Sequence, residues 1–91
     1  MATIKIPTPL RAYTGGEAQI AIDGENVGSA LDDLVSQYPE LQNHLFKDGQ
    51  LRSFVNIFLD DEDVRYIDGM ATKLNTGAKL RIIPSIAGGN R

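Results

Sequence analysis

A single helical stripe set between strand-like segments constrains the fold of this chain more than any other feature of its sequence. Apolar residues recur at the spacing of one face of an α-helix, at Val27, Ala30, Leu31, Leu34, Val35 and Tyr38. Asn26 is a suitable N-cap residue, and Pro39 ends the helix because the residue before a proline avoids helical backbone angles. Leu41, Leu45 and Phe46 indicate a further helical turn that closes over the core.

Strand-like alternation of apolar and polar residues precedes and follows the helix. Residues 3–6 and 17–22 alternate, with a turn signal at 14–16 between them, so we predict a hairpin with a fairly long loop. Residues 54–59 have the strongest strand pattern. Its inward face carries Val55, Ile57 and Leu59.

The rest of the chain completes the predicted sheet. An acidic turn at 60–63 leads to a short predicted strand at 64–66. The last strand, at 79–83, places Leu80 and Ile82 inward.

This order of elements favours one fold class. One helix must cover one apolar sheet face, because a two-layer domain has no other place to bury these stripes. We expect the last strand to lie parallel beside the first in the centre of the sheet. That arrangement is the β-grasp, or ubiquitin-like, α+β fold: a mixed four- to five-stranded sheet with one main helix on one face. We divide the chain into a β-grasp domain at 1–84 and a flexible C-terminal tail at 85–91.

Charge and composition exclude several classes of function. The net charge is −3, and the nine basic residues are spread along the chain, so no basic stripe suits a nucleic acid. The absence of cysteine removes disulfides, thiolate metal ligands and cysteine nucleophiles. The N-terminus lacks the apolar run of a signal peptide, and no apolar stretch approaches the ~20 residues that span a bilayer. We expect a cytoplasmic protein with no nucleic-acid or membrane partner.

Candidate catalytic and metal sites are weak. The four adjacent carboxylates at 60–63 cannot all face one ion, and the EF-hand spacing is absent. His44 is the single histidine, so it has no second histidine or cysteine with which to share a metal. The pair Gly15-Gly16 does not form the phosphate-binding loop motif, and no serine stands in a recognisable nucleophilic arrangement with a histidine. We therefore expect no catalytic residue, metal or cofactor in this chain.

The C-terminal segment is the most informative candidate site, and it reads Ala87-Gly88-Gly89-Asn90-Arg91. Because glycine has no Cβ, such a backbone can thread a narrow channel in another protein. Ordering about five tail residues costs on the order of 5–10 kcal/mol of backbone entropy, so docking must draw on the globular surface. We expect the outer sheet face to supply that surface, through Phe58, Arg81 and Ile83.

Four segments together carry a resemblance to a known family. They are Arg11 with Thr14-Gly15-Gly16, Phe54-Val55-Asn56-Ile57, Glu62-Asp63-Val64-Arg65 and Ile83-Pro84-Ser85-Ile86-Ala87-Gly88-Gly89. Over essentially its whole length, the chain resembles the ubiquitin-like sulfur carriers, the ThiS/MoaD-like family. Within that family it most resembles the carriers that deliver sulfur for cysteine synthesis from O-phosphoserine.

The resemblance implies a chemistry for Gly89 and a set of partners. An E1-like, ATP-using enzyme of the MoeB/ThiF type would adenylate the Gly89 carboxylate, and sulfide or a persulfide would displace AMP to give a thiocarboxylate. That sulfur would pass to an acceptor, here a cysteine synthase-like enzyme. In mature relatives the second glycine is the last residue, so Asn90 and Arg91 imply a precursor that a JAMM-type metallopeptidase trims. The alternative explanation is that these two residues are a cloning remnant or mark a loss of function.

Three other functions stay open. A protein modifier would join the activated Gly89 to a lysine amine on a target. A small subunit of molybdopterin synthase would insert its tail into a larger catalytic partner. A non-covalent ubiquitin-like interaction module would need no free Gly-Gly end.

Overall fold

The computed structural model describes residues 2–53 and 55–84 of the 91-residue chain. The predicted tail at 85–91, with Ala87, Gly88, Gly89, Asn90 and Arg91, lies outside the described residues, and so does Phe54. Seven strands are described: β1 (Ala2–Lys5), β2 (Gln19–Ile22), β3 (Phe46–Lys47), β4 (Gln50–Leu51), β5 (Val55–Leu59), β6 (Glu62–Asp63) and β7 (Lys79–Pro84).

Five of these strands form one mixed sheet in the order β2-β1-β7-β5-β6. The last strand lies in the centre, parallel to β1 and antiparallel to β5. Strand β2 pairs antiparallel with β1, and β6 pairs antiparallel with β5. This is the β-grasp topology, so the predicted fold class and the central parallel pair are confirmed.

Helix α1 (Val27–Gln37) covers the inner face of the sheet. The Asn26 side chain accepts a hydrogen bond from the Ser29 backbone N–H at 2.8 Å, and the Ser29 hydroxyl accepts one from the Asn26 N–H at 3.2 Å. This reciprocal cap satisfies two backbone donors at the start of the helix. Val27, Ala30, Leu31 and Leu34 are buried, as the helical stripe predicts.

The segment after α1 differs in part from its prediction. A 3₁₀ turn at Pro39–Leu41 and the short helix α2 (Gln42–Leu45) bury Leu41 and Leu45, as expected. Phe46 is not helical, because it begins a two-residue strand that pairs with β4. The turn between these strands places Asp48 and Gly49 at φ of 55° and 79°, a pair of positive angles that favours a tight hairpin over another helical turn.

The short strand predicted at 64–66 is wrong. The strand that pairs with β5 is β6, and Val64–Tyr66 forms a 3₁₀ helix instead. The Asp63 carboxylate accepts a hydrogen bond from the Arg65 backbone N–H at 2.9 Å, which caps this helix. Local side-chain hydrogen bonds of this kind compete with strand pairing, and here the cap replaces the strand.

The core lies between α1 and the inner sheet face. Inward residues of four strands are buried there, namely Ile4, Ile20, Ile22, Val55, Ile57, Leu80 and Ile82. The predicted inward face of the last strand is therefore confirmed, and Lys79, Arg81 and Ile83 lie on its outer face. None of the helices in the described part of the chain has the length and apolar character that crossing a bilayer requires.

Candidate functional site

Strand β7 connects the centre of the sheet to the C-terminal segment. Pro84 is the last described residue, and it pairs with Val55 at the start of β5. The chain that leads to Gly89 therefore starts from the C-terminal end of this central strand, five residues before the second glycine. Any surface that orients this protein toward an enzyme acting on Gly89 should lie close to that end of β7.

The three residues predicted for that surface come together on the outer sheet face. Phe58 lies directly opposite Arg81 across the β5–β7 pair, and the Arg81 Cζ is 5.7 Å from the centroid of the Phe58 ring. This is the geometry of a cation–π contact. Ile83 follows two residues later on the same face, opposite Asn56. All three are half-buried, and their role in binding a partner stays a prediction.

Five outward side chains form one row across all five strands of the sheet. The register places Gln19 beside Lys5, Lys5 beside Arg81, Arg81 beside Phe58, and Phe58 beside Asp63. We call this set the outer row. It joins apolar and charged groups from segments that lie far apart in the sequence.

Arg81 is held over Phe58 by contacts with the turn between β5 and β6. Its Nη2 donates to the Asp60 carbonyl oxygen at 3.2 Å and lies 3.4 Å from Asp61 Oδ1. The Asp61 side chain is fully exposed, so water and salt screen this ion pair and it adds little stability. The effect of these two contacts is to orient the Arg81 guanidinium on the outer face.

A polar network beside the outer row was missed in the sequence. The Arg65 Nη2 donates to Asp63 Oδ2 at 3.0 Å and to Asn56 Oδ1, and the Arg65 Nε donates to Asp63 Oδ1 at 3.3 Å. Asn56 lies opposite Ile83, so the network reaches the C-terminal end of β7. An aspartate two residues before a bonded backbone N–H is typical of an Asx turn, and the segment Asp63-Val64-Arg65 carries that signal.

This network shifts the protonation equilibria of its charged members. The side-chain hydrogen bonds from Arg65 hold the pKa of the Asp63 carboxyl below its ordinary value. The same bonds raise the pKa of Arg65, so its guanidinium stays charged. The Asp63 side chain is only 10% exposed, whereas that of Arg65 is 55% exposed.

The other polar candidates from the sequence are not brought into this site. His44 lies on α2, where its ring stacks on Tyr13 with centroids 4.1 Å apart. The acidic turn is divided, since Asp61 faces Arg81 and Asp63 binds Arg65. Within residues 2–53 and 55–84, no group of three acidic, histidine or cysteine side chains is placed to hold a metal ion.

Known proteins match nearly the whole chain. The model of the ThiS family matches residues 4–89. The sulfur carrier protein CysO of Mycobacterium tuberculosis H37Rv is 39% identical over 90 residues, which cover 96% of this chain and 97% of that protein. A chain in the crystal structure of the Amycolatopsis orientalis BexX/CysO complex superposes with a TM-score of 0.89 at 37% identity, covering 98% of this chain and 100% of that one. Small archaeal modifier protein 3 of Haloferax volcanii is 36% identical over 67 residues, 74% of this chain and 73% of that protein.

Proposed function

Because this chain belongs to the ThiS family, we propose that it is the precursor of a sulfur carrier protein. Its working group is the carboxylate of Gly89, freed from the residues that follow. The observation that carries this proposal is the span of the family match, which runs from residue 4 through Gly89 and stops before Asn90. The similarity to CysO over nearly the full length of both proteins supports the same function.

The proposed chemistry takes place in two steps at the Gly89 carboxylate. A carboxylate oxygen attacks the α-phosphorus of ATP and displaces pyrophosphate, which leaves an acyl-adenylate. Sulfide then attacks the acyl carbon, a C–S bond forms, and the C–O bond to AMP breaks. The product is a thiocarboxylate that donates its sulfur. The carrier supplies an unhindered backbone for this chemistry and is consumed and regenerated as a cosubstrate, so it is not itself an enzyme.

Activation requires a partner that holds ATP and docks on the globular domain. We propose an E1-like adenylating enzyme for this role and the surface around Phe58, Arg81 and Ile83 as its docking site. The five residues that follow Pro84, at 85–89, span at most about 17 Å, at about 3.3 Å each. The adenylation site must therefore lie within that distance of the end of β7. The crystal structure of a related CysO chain in complex with BexX supports a carrier that works through protein partners.

Processing must precede activation, because the Gly89 carbonyl is part of the peptide bond to Asn90. We propose that a JAMM-type metallopeptidase cuts this bond and removes Asn90 and Arg91. Cysteine synthesis through a cysteine synthase-like acceptor is the proposed destination of the sulfur, and the resemblance of the four sequence segments supports it. The proposed site of action is the cytoplasm.

One reaction tests the carrier function. Protein truncated after Gly89 is incubated with the E1-like enzyme of its own source organism, ATP and sulfide, and the intact mass is measured. Replacement of one oxygen by one sulfur is the expected change. The untrimmed chain is the matched control and should keep its mass, because it offers no carboxylate on Gly89. Unchanged mass of the truncated protein, with an enzyme that is active on another carrier, contradicts the proposal.

The identity shared with small archaeal modifier protein 3 favours a second candidate function. In that case a lysine amine, rather than sulfide, attacks the same adenylate or a thioester made from it, and an isopeptide bond forms. The two functions therefore diverge only after activation. Mass spectrometry of tryptic peptides from the source cells distinguishes them, since a modifier leaves its C-terminal residues on target lysines.

A further inference from the structure

Arg65 is fixed in one orientation with half of its guanidinium turned to solvent. Its Nε and Nη2 carry hydrogen bonds to Asp63 and Asn56. An arginine has five N–H donors in a rigid fork, and the two on Nη1 make no hydrogen bond with any described residue. The side chain is 55% exposed. A donor pair that is already oriented loses little conformational entropy when it binds a ligand.

Arg81 repeats this arrangement on the other side of Phe58. Only its Nη2 is bonded, to the turn at Asp60 and Asp61, and its remaining N–H groups have no hydrogen-bond partner among the residues the structure describes. Phe58 lies between the two, opposite Arg81 on one neighbouring strand and opposite Asp63, which binds Arg65, on the other. Two oriented guanidinium groups therefore flank one half-buried aromatic ring.

The surface around the outer row carries two lysines besides Arg65 and Arg81. Lys5 lies beside Arg81 and Lys79 lies beside Thr3, both on the outer face. Both lysines are exposed, and neither forms a salt bridge within the described part of the chain. Four acidic residues lie in the adjacent segment at 60–63, and two of them, Asp61 and Asp63, are each paired with an arginine. The surface is therefore of mixed charge, and the unbonded guanidinium donors are the groups it offers to a ligand.

We propose that Arg65 and Arg81 form a paired recognition element for carboxylates of a partner protein. The partner that docks on the outer face presents aspartate or glutamate side chains to these two guanidinium groups and an apolar surface to Phe58 and Ile83. Arg65 is then a specificity-determining residue of the docking surface. The inference rests on the proposed function, which supplies the need for such a partner.

An acidic protein surface fits this site better than a nucleic acid does. Phe58 and Ile83 interrupt the positive groups, and the turn that carries Asp60 and Asp61 borders them. A nucleic-acid site would instead need a continuous basic track along a phosphate backbone. Bidentate arginine–carboxylate pairs also carry directional information, so they would fix the orientation in which the tail enters the enzyme.

The test is the salt dependence of activation by the E1-like enzyme of the same organism. The chain truncated after Gly89 is assayed for pyrophosphate release at ionic strengths from about 0.01 to about 1 M, over which the Debye length falls from about 30 to about 3 Å. For the wild-type chain we expect KM to rise steeply with salt and kcat to change little. Arg65→Gln and Arg81→Gln should each raise KM at low salt by about tenfold, the loss of one hydrogen bond to a charged group, and should flatten its salt dependence.

Two further variants separate recognition from charge and from folding. The double variant D63N/R65Q keeps the net charge of the wild-type chain, so a raised KM in this variant reports the missing guanidinium itself. Lys73→Gln is the control for loss of one positive charge. Lys73 forms an isolated β-bridge with Asn26 at the start of α1, outside the outer row, so the KM of this variant should equal that of the wild-type chain. Thermal melting followed by circular dichroism verifies that each variant is folded under the assay conditions.

Three outcomes of this experiment would contradict the inference, and one of them would also contradict the proposed function. A KM that is independent of Arg65 and Arg81 in a normally activated chain overturns this inference alone. Arginine-dependent binding of a labelled single-stranded RNA, without an arginine effect on KM, overturns it as well. Failure of the wild-type truncated chain to be activated at all overturns the proposed function, and the inference with it.

Discussion

At the scale of single residues, Asp63 shows how one side chain both determines local backbone structure and orients an arginine on the surface of the sheet. It caps the 3₁₀ helix that follows β6, binds the Arg65 guanidinium, and lies opposite Phe58 in the outer row. The strand predicted at 64–66 is wrong because the alternation of residue types at these positions says nothing about this cap. A carboxylate that accepts three hydrogen bonds from Arg65 outweighs the weak strand preference of three residues.

Asp63 also makes part of the stability pH-dependent. Because the hydrogen bonds from Arg65 lower the pKa of Asp63 in the folded state, ionised Asp63 stabilises the fold at pH values above its unfolded pKa of about 3.9. This contribution is lost as the pH falls through the lower, folded pKa. We therefore expect Asp63→Asn to lower the free energy of unfolding near neutral pH and to weaken its decrease below about pH 4.

Urea unfolding of both proteins over a series of pH values measures this difference. Asp32→Asn is the control, since Asp32 is exposed on α1. Equal loss of stability on acidification in the wild-type chain and in Asp63→Asn would rule out the proposed contribution of the Asp63–Arg65 pair.

At the scale of secondary-structure elements, long periodic segments are predictable and short ones are not. Helix α1 and strands β1, β5 and β7 were predicted because each alternates or repeats over four or more residues. Strands β3 and β4 have two residues each, which is too few for any period to appear. Their hairpin depends on the positive φ angles of Asp48 and Gly49, and the apolar Phe46 misleadingly extended the helical pattern before it.

The connection between β2 and α1 depends on a close backbone approach at Gly24. A Cβ added there would lie 2.5 Å from the Ala30 N and 2.8 Å from the Ala30 Cα. These atoms belong to the backbone of α1 and cannot rotate away. Gly24→Ala should therefore lower the free energy of unfolding by about 1–3 kcal/mol, the usual cost of overpacking.

Gly28→Ala is the matched control for this substitution. Its added Cβ meets the Met70 carbonyl oxygen at 3.3 Å, and the gain in helix propensity offsets part of that contact. The denaturant concentration at the midpoint of unfolding should be much lower for Gly24→Ala than for Gly28→Ala. Equal midpoints would mean that the β2–α1 connection tolerates a side chain at position 24.

At the scale of the whole molecule, the sheet gathers groups that the sequence keeps apart. The basic residues are spread along the chain, so a linear pattern predicts no basic surface. The parallel pairing of β1 with β7 nevertheless places Lys5 beside Arg81, and the β5–β6 hairpin brings in Arg65. The predicted cluster of Phe58, Arg81 and Ile83 needed only strand periodicity. The Arg65 network also depends on the Asx turn at Asp63, whose signal is present in the sequence but does not identify Asn56 as the second partner of Arg65.

Substitutions on the two faces of β5 should have different effects, because Phe58 and Ile57 are adjacent in sequence but point to opposite sides of the sheet. Phe58 is half-buried on the outer face, whereas Ile57 is 1% exposed in the core. We expect Phe58→Asp to raise the KM for activation by the E1-like enzyme while the domain still melts cooperatively. Ile57→Asp buries an unpaired carboxylate and should abolish cooperative melting. If Phe58→Asp unfolds the domain as Ile57→Asp does, Phe58 belongs to the core and the docking surface lies elsewhere.

The distance between the proposed docking surface and the Gly89 carbonyl sets an asymmetric requirement on tail length if the proposed activation takes place there. Deletion of Ser85 and Ile86 from the truncated chain shortens the maximum span by about 7 Å, at about 3.3 Å per residue. Insertion of two glycines before Ser85 lengthens it by as much, and a longer link only dilutes the effective concentration of the end group. Deletion should therefore abolish thiocarboxylate formation and leave the affinity for the enzyme within a few-fold of wild type, whereas insertion should slow the reaction modestly.

Pyrophosphate release measures the rate of activation, and binding isotherms measure the affinity for the enzyme separately. A deletion variant that reacts at the normal rate would place the adenylation site close against β7 and would remove the need for an extended Gly-Gly segment.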